Sequence, residues 1–109
     1  MRVLLDECIP RKLKQAFPEH DCQTVPEAGL AGKQNGVLLG LAESLGFDLF
    51  LTMDKGVPYQ QNLSSRILAI VVIRAKSNRL ADLLPHVEGC RGIMRTIQPG
   101  QVRRIGERI

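Results

Sequence analysis

The chain predicts an α/β fold built on a mainly parallel sheet, and three features carry that expectation. The runs Val3–Leu5, Asp48–Thr52 and Ile67–Ile73 are apolar without alternation, as strands covered on both faces are. Between them lie stretches with the three-to-four-residue apolar spacing of helices. Strand and helix signals therefore alternate, which is the pattern of parallel βα units.

Taken in order, Val3-Leu4-Leu5 is a short buried strand. Pro10 suits a helix first turn, where its missing N–H is not needed. Pro10 to Phe17 is therefore expected to be helical, with Leu13, Ala16 and Phe17 on one face and Pro18 as the stop. Cys22 to Val25 is a second strand. After the loop-like Gly29-Leu30-Ala31-Gly32, Asn35 is placed to cap a helix through Val37, Leu38, Leu41, Ala42 and Leu45, and Gly46 ends it. Asp48 to Thr52 is the third strand and Ile67 to Ile73 the fourth, β-branched and unbroken. Leu80 to Ile97 has helical periodicity broken or kinked at Pro85 and Gly89, and Val102 to Ile105 adds a last strand at an edge. No repeat, linker or low-complexity tract divides the chain, so residues 1–109 are read as a single domain large enough to bury a real core.

Composition narrows the partners. Lys and Arg outnumber Asp and Glu by 15 to 11, giving a net charge of +4 and a pI near 9.3. That balance suits a phosphate-bearing or acidic partner, although an ordinary soluble surface carries as much. Arg74, Lys76, Arg79, Arg91, Arg95, Arg103 and Arg104 fall after residue 73, against Asp82, Glu88 and Glu107. Aromatic residues make up only 4% of the chain, with no Trp, so a base-stacking platform is poorly supplied. Cys8, Cys22 and Cys90 are odd in number and lack C-x-x-C spacing, which fits reduced thiols in a cytoplasmic protein. The apolar run before Asp6 is too short for a signal peptide. No stretch approaches the roughly 18 apolar residues of a membrane span, so no membrane partner is expected.

The chemistry-bearing residues cluster at strand ends. In MRVLLDECIP the first strand stops at Asp6 and Glu7, and in FLTMDKG the third stops at Asp54. Open α/β sheets form their sites outside the carboxyl ends of the strands. If the two strands are parallel, all three acids emerge on one edge. Alone, each would be read as a turn cap or a solvated charge; together they form a candidate site for Mg²⁺ or Mn²⁺. Such ions favour hard oxygen ligands and complete their shells with water and substrate phosphate. They polarise a phosphodiester and activate water. Asp6 and Asp54 are the expected metal ligands and, with Glu7, the candidate catalytic residues. RAKSNR follows the fourth strand, so Arg74, Lys76 and Asn78 are candidate substrate contacts, with Arg79 nearby. Cations there would hold a nucleic-acid backbone by its phosphates without reading sequence. Asn35 is first a helix cap and second a substrate contact. Glu43 and Asp48 are expected to be solvated charges, and His20 and His86 stand isolated. Cys8 has no histidine placed to activate it.

At LLDECIPRKL, GLAGKQNGVLLGLAE, LFLTMDKGVPYQQNL and IVVIRAKSNRLADLLP the chain resembles the PIN-like family of small proteins, over residues 2 to 105. That family is grouped with the PIN-domain ribonucleases and the toxins of toxin–antitoxin pairs. The resemblance implies a three-layer α/β/α fold, an acidic Mg²⁺ or Mn²⁺ pocket at the strand ends and endoribonuclease action on RNA. It also implies a cognate antitoxin protein that covers the pocket; a homodimer is a further assembly to test. Asp6 matches the acid after the first strand and Asp54 the acid after the third, with Glu7 accompanying Asp6. The chain departs from the family where a further acid opens the helix beginning QNGVLL. Asn35 and Val37 stand there, and neither is a carboxylate.

Two other readings compete. A catalytically silent PIN-like module would bind RNA or protein through the same edge, and the missing acid favours it. A phosphoacceptor receiver domain also joins acids after strand one to an aspartate after strand three. It needs a lysine after strand five, where this chain has Val102-Arg103-Arg104-Ile105.

Overall fold

The computed structural model describes residues 1–57 and 66–106, apart from the side chain of Asn35. Its elements are β1 (Arg2–Leu5), a 3₁₀ helix (Arg11–Ala16), β2 (Asp21–Thr24), α1 (Asn35–Ser44), β3 (Leu49–Thr52) and β4 (Ala69–Arg74). They are followed by α2 (Leu80–Leu83), a 3₁₀ turn (Leu84–His86), α3 (Val87–Thr96) and β5 (Val102–Gly106). The five strands form one sheet in the order β2-β1-β3-β4-β5, and every pair is parallel. The expected α/β fold is therefore present.

Strand alternation sorts the apolar residues into two cores. Val3, Leu5, Leu49, Leu51, Ala69, Val71 and Ile73 face one layer, made by the 3₁₀ helix (Leu13), Phe17 just after it, α2 (Leu83) and α3 (Cys90, Met94). Leu4, Phe50, Ile70 and Val72 face the other, where α1 supplies Leu38, Leu39 and Ala42. β3 and the first five residues of β4 are buried throughout, which is why those runs show no alternation in the sequence.

Several boundaries differ from expectation for physical reasons. The segment after Pro10 is a 3₁₀ helix, not an α-helix. Between Pro10 and Pro18 there are too few residues to repay α-helix nucleation, and the segment is held by Leu13 in the core. α1 begins at Asn35 with Gln34 at the cap position and no side-chain cap bond, so Asn35 is not the cap. Gly46 stops the helix as expected, with φ +84°. Pro85 divides the long helical stretch, whereas Gly89 lies inside α3 without breaking it. A Cβ at residue 89 would overlap the Ile105 side chain, so this glycine lets α3 approach β5.

Two acids expected as solvated charges also tie elements together, Glu43 from a half-buried position and Asp48 while remaining exposed. Glu43 accepts from Arg66 Nη1 at 2.9 Å and from the Ile67 N–H at 3.3 Å. The same guanidinium donates to the Gly36 carbonyl at 3.3 Å, lying over the glycines of α1. Asp48 accepts from the Arg2 N–H at 2.7 Å and joins the starts of β3 and β1.

Candidate functional site

β2 and β3 flank β1 on opposite sides, so the chain changes direction across the sheet at β1. In doubly wound folds the crevice at that switch point is the usual ligand site. Here it is bounded by the carboxyl ends of β1 and β3, where Asp6 and Asp54 follow. Val3 pairs with Leu49 and Leu5 with Leu51, so the two strands end level with one another. The Asp6 N–H extends the ladder by donating to the Leu51 carbonyl at 3.0 Å.

One residue joins the two acidic ends. Thr52 is fully buried, and its hydroxyl donates to Asp6 Oδ2 at 2.6 Å and accepts from the Asp54 N–H at 2.9 Å. Asp6 Oδ1 accepts from the Glu7 N–H at 2.8 Å. The Asp6 carboxylate is thus fixed at both oxygens, each with a remaining lone pair. The Asp54 side chain turns back onto its own loop, Oδ1 accepting from the Gly56 N–H at 2.8 Å. Asp6 and Asp54 thus stand at neighbouring strand ends linked through a threonine hydroxyl, while the two carboxylates have separate local partners.

The cavity beside Asp6 lies toward β2. It has a volume of about 330 Å³ and is lined by Asp6, Glu7, Ile9, Arg11, Thr24, Pro26 and Glu27. Glu7 is exposed at this cavity. Glu27 accepts from Lys14 Nζ at 2.8 and 3.0 Å and from the Thr24 N–H at 2.9 Å. Lys14 first, and the Thr24 N–H second, lower its pKa to about 2. Burial pushes the Cys8 thiol up, and the nearby Asp6 charge adds to that, so the thiol is not activated as a nucleophile.

The donor set decides what metal could sit here. Among the described residues, no three His, Cys, Asp or Glu side chains come within ligating range of one ion. A closed zinc-type site is therefore not formed by the described residues. Mg²⁺ and Mn²⁺ need less, one or two carboxylates with water and phosphate completing the shell, and Asp6 and Asp54 are carboxylates of that kind at neighbouring strand ends.

The remaining residues divide. Asn78 Nδ2 donates to the Cys8 carbonyl at 3.1 Å and pins the loop after β1, so its amide is engaged in holding Asp6's neighbourhood. Lys76 is exposed beyond β4. Asn35 opens α1, and its side chain lies outside the described atoms; Val37 is 57% exposed. Arg74 ends β4 on the Val72 face, and its Nε is buried with no hydrogen-bond partner. An unmet buried donor of this kind costs about 1–3 kcal/mol or more. His20 is at the opposite end of the sheet, where Nδ1 lies 3.2 Å from the Met1 amine.

Thr52 was missed from the sequence as a residue of this site. A signal for Thr52 existed: a hydroxyl in an otherwise apolar buried strand must find a partner, and the strand ends beside two acids. No described helix is long and apolar enough to cross a membrane. No protein-family profile, curated protein or solved structure matches the chain.

Proposed function

We propose that this protein is a Mg²⁺- or Mn²⁺-dependent endoribonuclease of PIN-like type, acting in the cytoplasm as the toxin of a toxin–antitoxin pair. The observation that carries this reading is the Thr52 hydroxyl, which joins the Asp6 carboxylate to the Asp54 main chain at the switch point of the sheet. Asp6 and Asp54 would hold the cation, which would polarise the phosphodiester. Glu7, exposed beside Asp6, positions the attacking water and takes its proton. Arg74 and Lys76 hold backbone phosphate. An antitoxin neutralises the protein by covering this edge.

A second reading has its own support. With Asn35 opening α1 and no three-ligand cluster among the described residues, a silent module that binds RNA or protein needs no strong cation site.

Calorimetry and RNA cleavage separate the two. Mn²⁺ is expected to bind the wild-type protein at one site and to lose at least tenfold in affinity in Asp6→Ala and Asp54→Ala. Mg²⁺-dependent cleavage of a mixed RNA pool is expected to vanish in the same variants. Metal binding without cleavage would establish the silent module. Neither metal binding nor cleavage in the wild-type protein would sink the ribonuclease.

A further inference from the structure

The acidic cavity has one basic wall. Arg11, the first residue of the 3₁₀ helix, lines it together with Asp6 and Glu7. The same side chain borders a second cleft of about 390 Å³, lined otherwise by Lys12, Lys14 and Gln15. The two clefts therefore meet at Arg11. In a 3₁₀ helix residues three apart eclipse one another, so Arg11 and Lys14 form one row and Lys12 and Gln15 the next. Glu27 faces the first row. Lys14 Nζ donates to both of its carboxylate oxygens, at 3.0 and 2.8 Å. Arg11 Nε lies 3.6 Å from Glu27 Oε2, beyond ordinary hydrogen-bond reach, and the Arg11 side chain is 75% exposed. One carboxylate thus meets two cations, and the exposed Lys12 adds a third. This surplus stands on the β2 side of β1, away from β4 and Arg74.

We infer that Arg11 and Lys12 hold the backbone of single-stranded RNA where it leaves the acidic edge, so that the strand passes over the 3₁₀ helix. The second cleft is lined by cations and an amide, with no aromatic side chain on which a base could stack. That lining suits phosphates, and such contacts hold a strand without reading its sequence. Asp6, Glu7 and Glu27 by themselves repel a polyanion. Arg11 is the cation that shares their cavity, and an exposed guanidinium offers its planar fork to two phosphate oxygens with no burial to undo. It takes the phosphate adjoining the one addressed at Asp6, and Lys12 takes the next. The assignment rests on the ribonuclease reading and extends its substrate contacts to the β2 side of the site.

Binding and cleavage are measured separately. The wild-type protein in EDTA is titrated with a labelled oligouridylate at several salt concentrations, beside Arg11→Gln, Lys12→Gln and Arg95→Gln. All three side chains are exposed, so the variants keep the fold. The slope of log affinity against log salt is expected to shrink by about 0.7 in Arg11→Gln and in Lys12→Gln, and by about 1.4 in the double variant. α3 leads from the carboxyl end of β4 to the start of the parallel β5, so Arg95 in its last turn lies toward the opposite edge of the sheet. Arg95→Gln is expected to leave the slope unchanged. Wild-type slopes in both Arg11→Gln and Lys12→Gln overturn the track, as does an oligouridylate that fails to bind the wild-type protein. An equal loss in Arg95→Gln marks attraction by net charge alone and overturns it too. If the slopes shrink as expected but the wild-type protein with Mg²⁺ cleaves no RNA, the catalytic reading fails and the track stands.

Discussion

The carboxyl edge of the sheet has two unlike halves. Over β2, β1 and β3 it is acidic: Asp6, Glu7, Glu27 and Asp54 gather there, and Thr52 and the local N–H groups hold Asp6 and Asp54. Over β4 and β5 it is basic, with Arg74 and Arg104 around a small cleft and one guanidinium N–H left without an acceptor. The acidic half is organised by its own hydrogen bonds, whereas in the basic half the Arg74 Nε–H is buried without an acceptor. An acidic half alone repels a polyanion and a basic half alone only binds it.

Breaking the basic half should have the larger effect on stability. Gly106→Ala places a Cβ against the Arg74 carbonyl at a φ that side chains rarely adopt, and is expected to cost about 2–4 kcal/mol, read from urea unfolding. A loss below about 0.5 kcal/mol, the size of an ordinary surface change, would show that the end of β5 yields and that the cleft is not fixed. In the acidic half, Thr52→Val keeps the shape but removes the hydroxyl, leaving the Asp54 N–H without its acceptor. It is expected to cost about 1–3 kcal/mol and to weaken Mn²⁺ binding, with Thr52→Ser recovering both. Equal stability in Thr52→Val and wild type would mean the hydroxyl organises nothing.

The smallest effect concerns the wall of the acidic cavity. Glu27 has a folded-state pKa near 2, below the ordinary 4.5, with Lys14 the main cause. A lowered carboxyl pKa contributes stability above the unfolded value that is lost as pH falls through the folded one. The stability advantage of the wild type over Glu27→Gln should therefore be full above pH 4.5 and disappear toward pH 2. Denaturation midpoints measured across that window check it, and a gap independent of pH would remove the Lys14–Glu27 pair from the account.

The strands could be read from the sequence because burial on both faces writes an unbroken apolar run, and ILAIVVI and LFLT did so. Their acidic ends were legible for the same reason, since a charge is conspicuous at the end of an apolar run. What could not be read was contact between distant segments. Glu43 looked like a solvated helix charge because nothing near it in sequence announces Arg66, 23 residues on. Gly89 looked like a helix breaker because its use is to admit Ile105, a residue of another element. The 3₁₀ helix was mistaken in type because its apolar spacing suits either helix, and only its length between two prolines decides.

The central place of β1 also bears on how the chain comes to be folded. Val3 has Cys22 on one side and Leu49 on the other, so the second edge of β1 stays open until β3 has been made. Until β3 leaves the ribosome, Val3-Leu4-Leu5 is an apolar strand with an open edge, the kind of segment that recruits other chains. The acids that follow it then have a second use: Asp6 and Glu7 put charge beside an apolar stretch of the nascent protein, where a neutral residue would leave it unguarded.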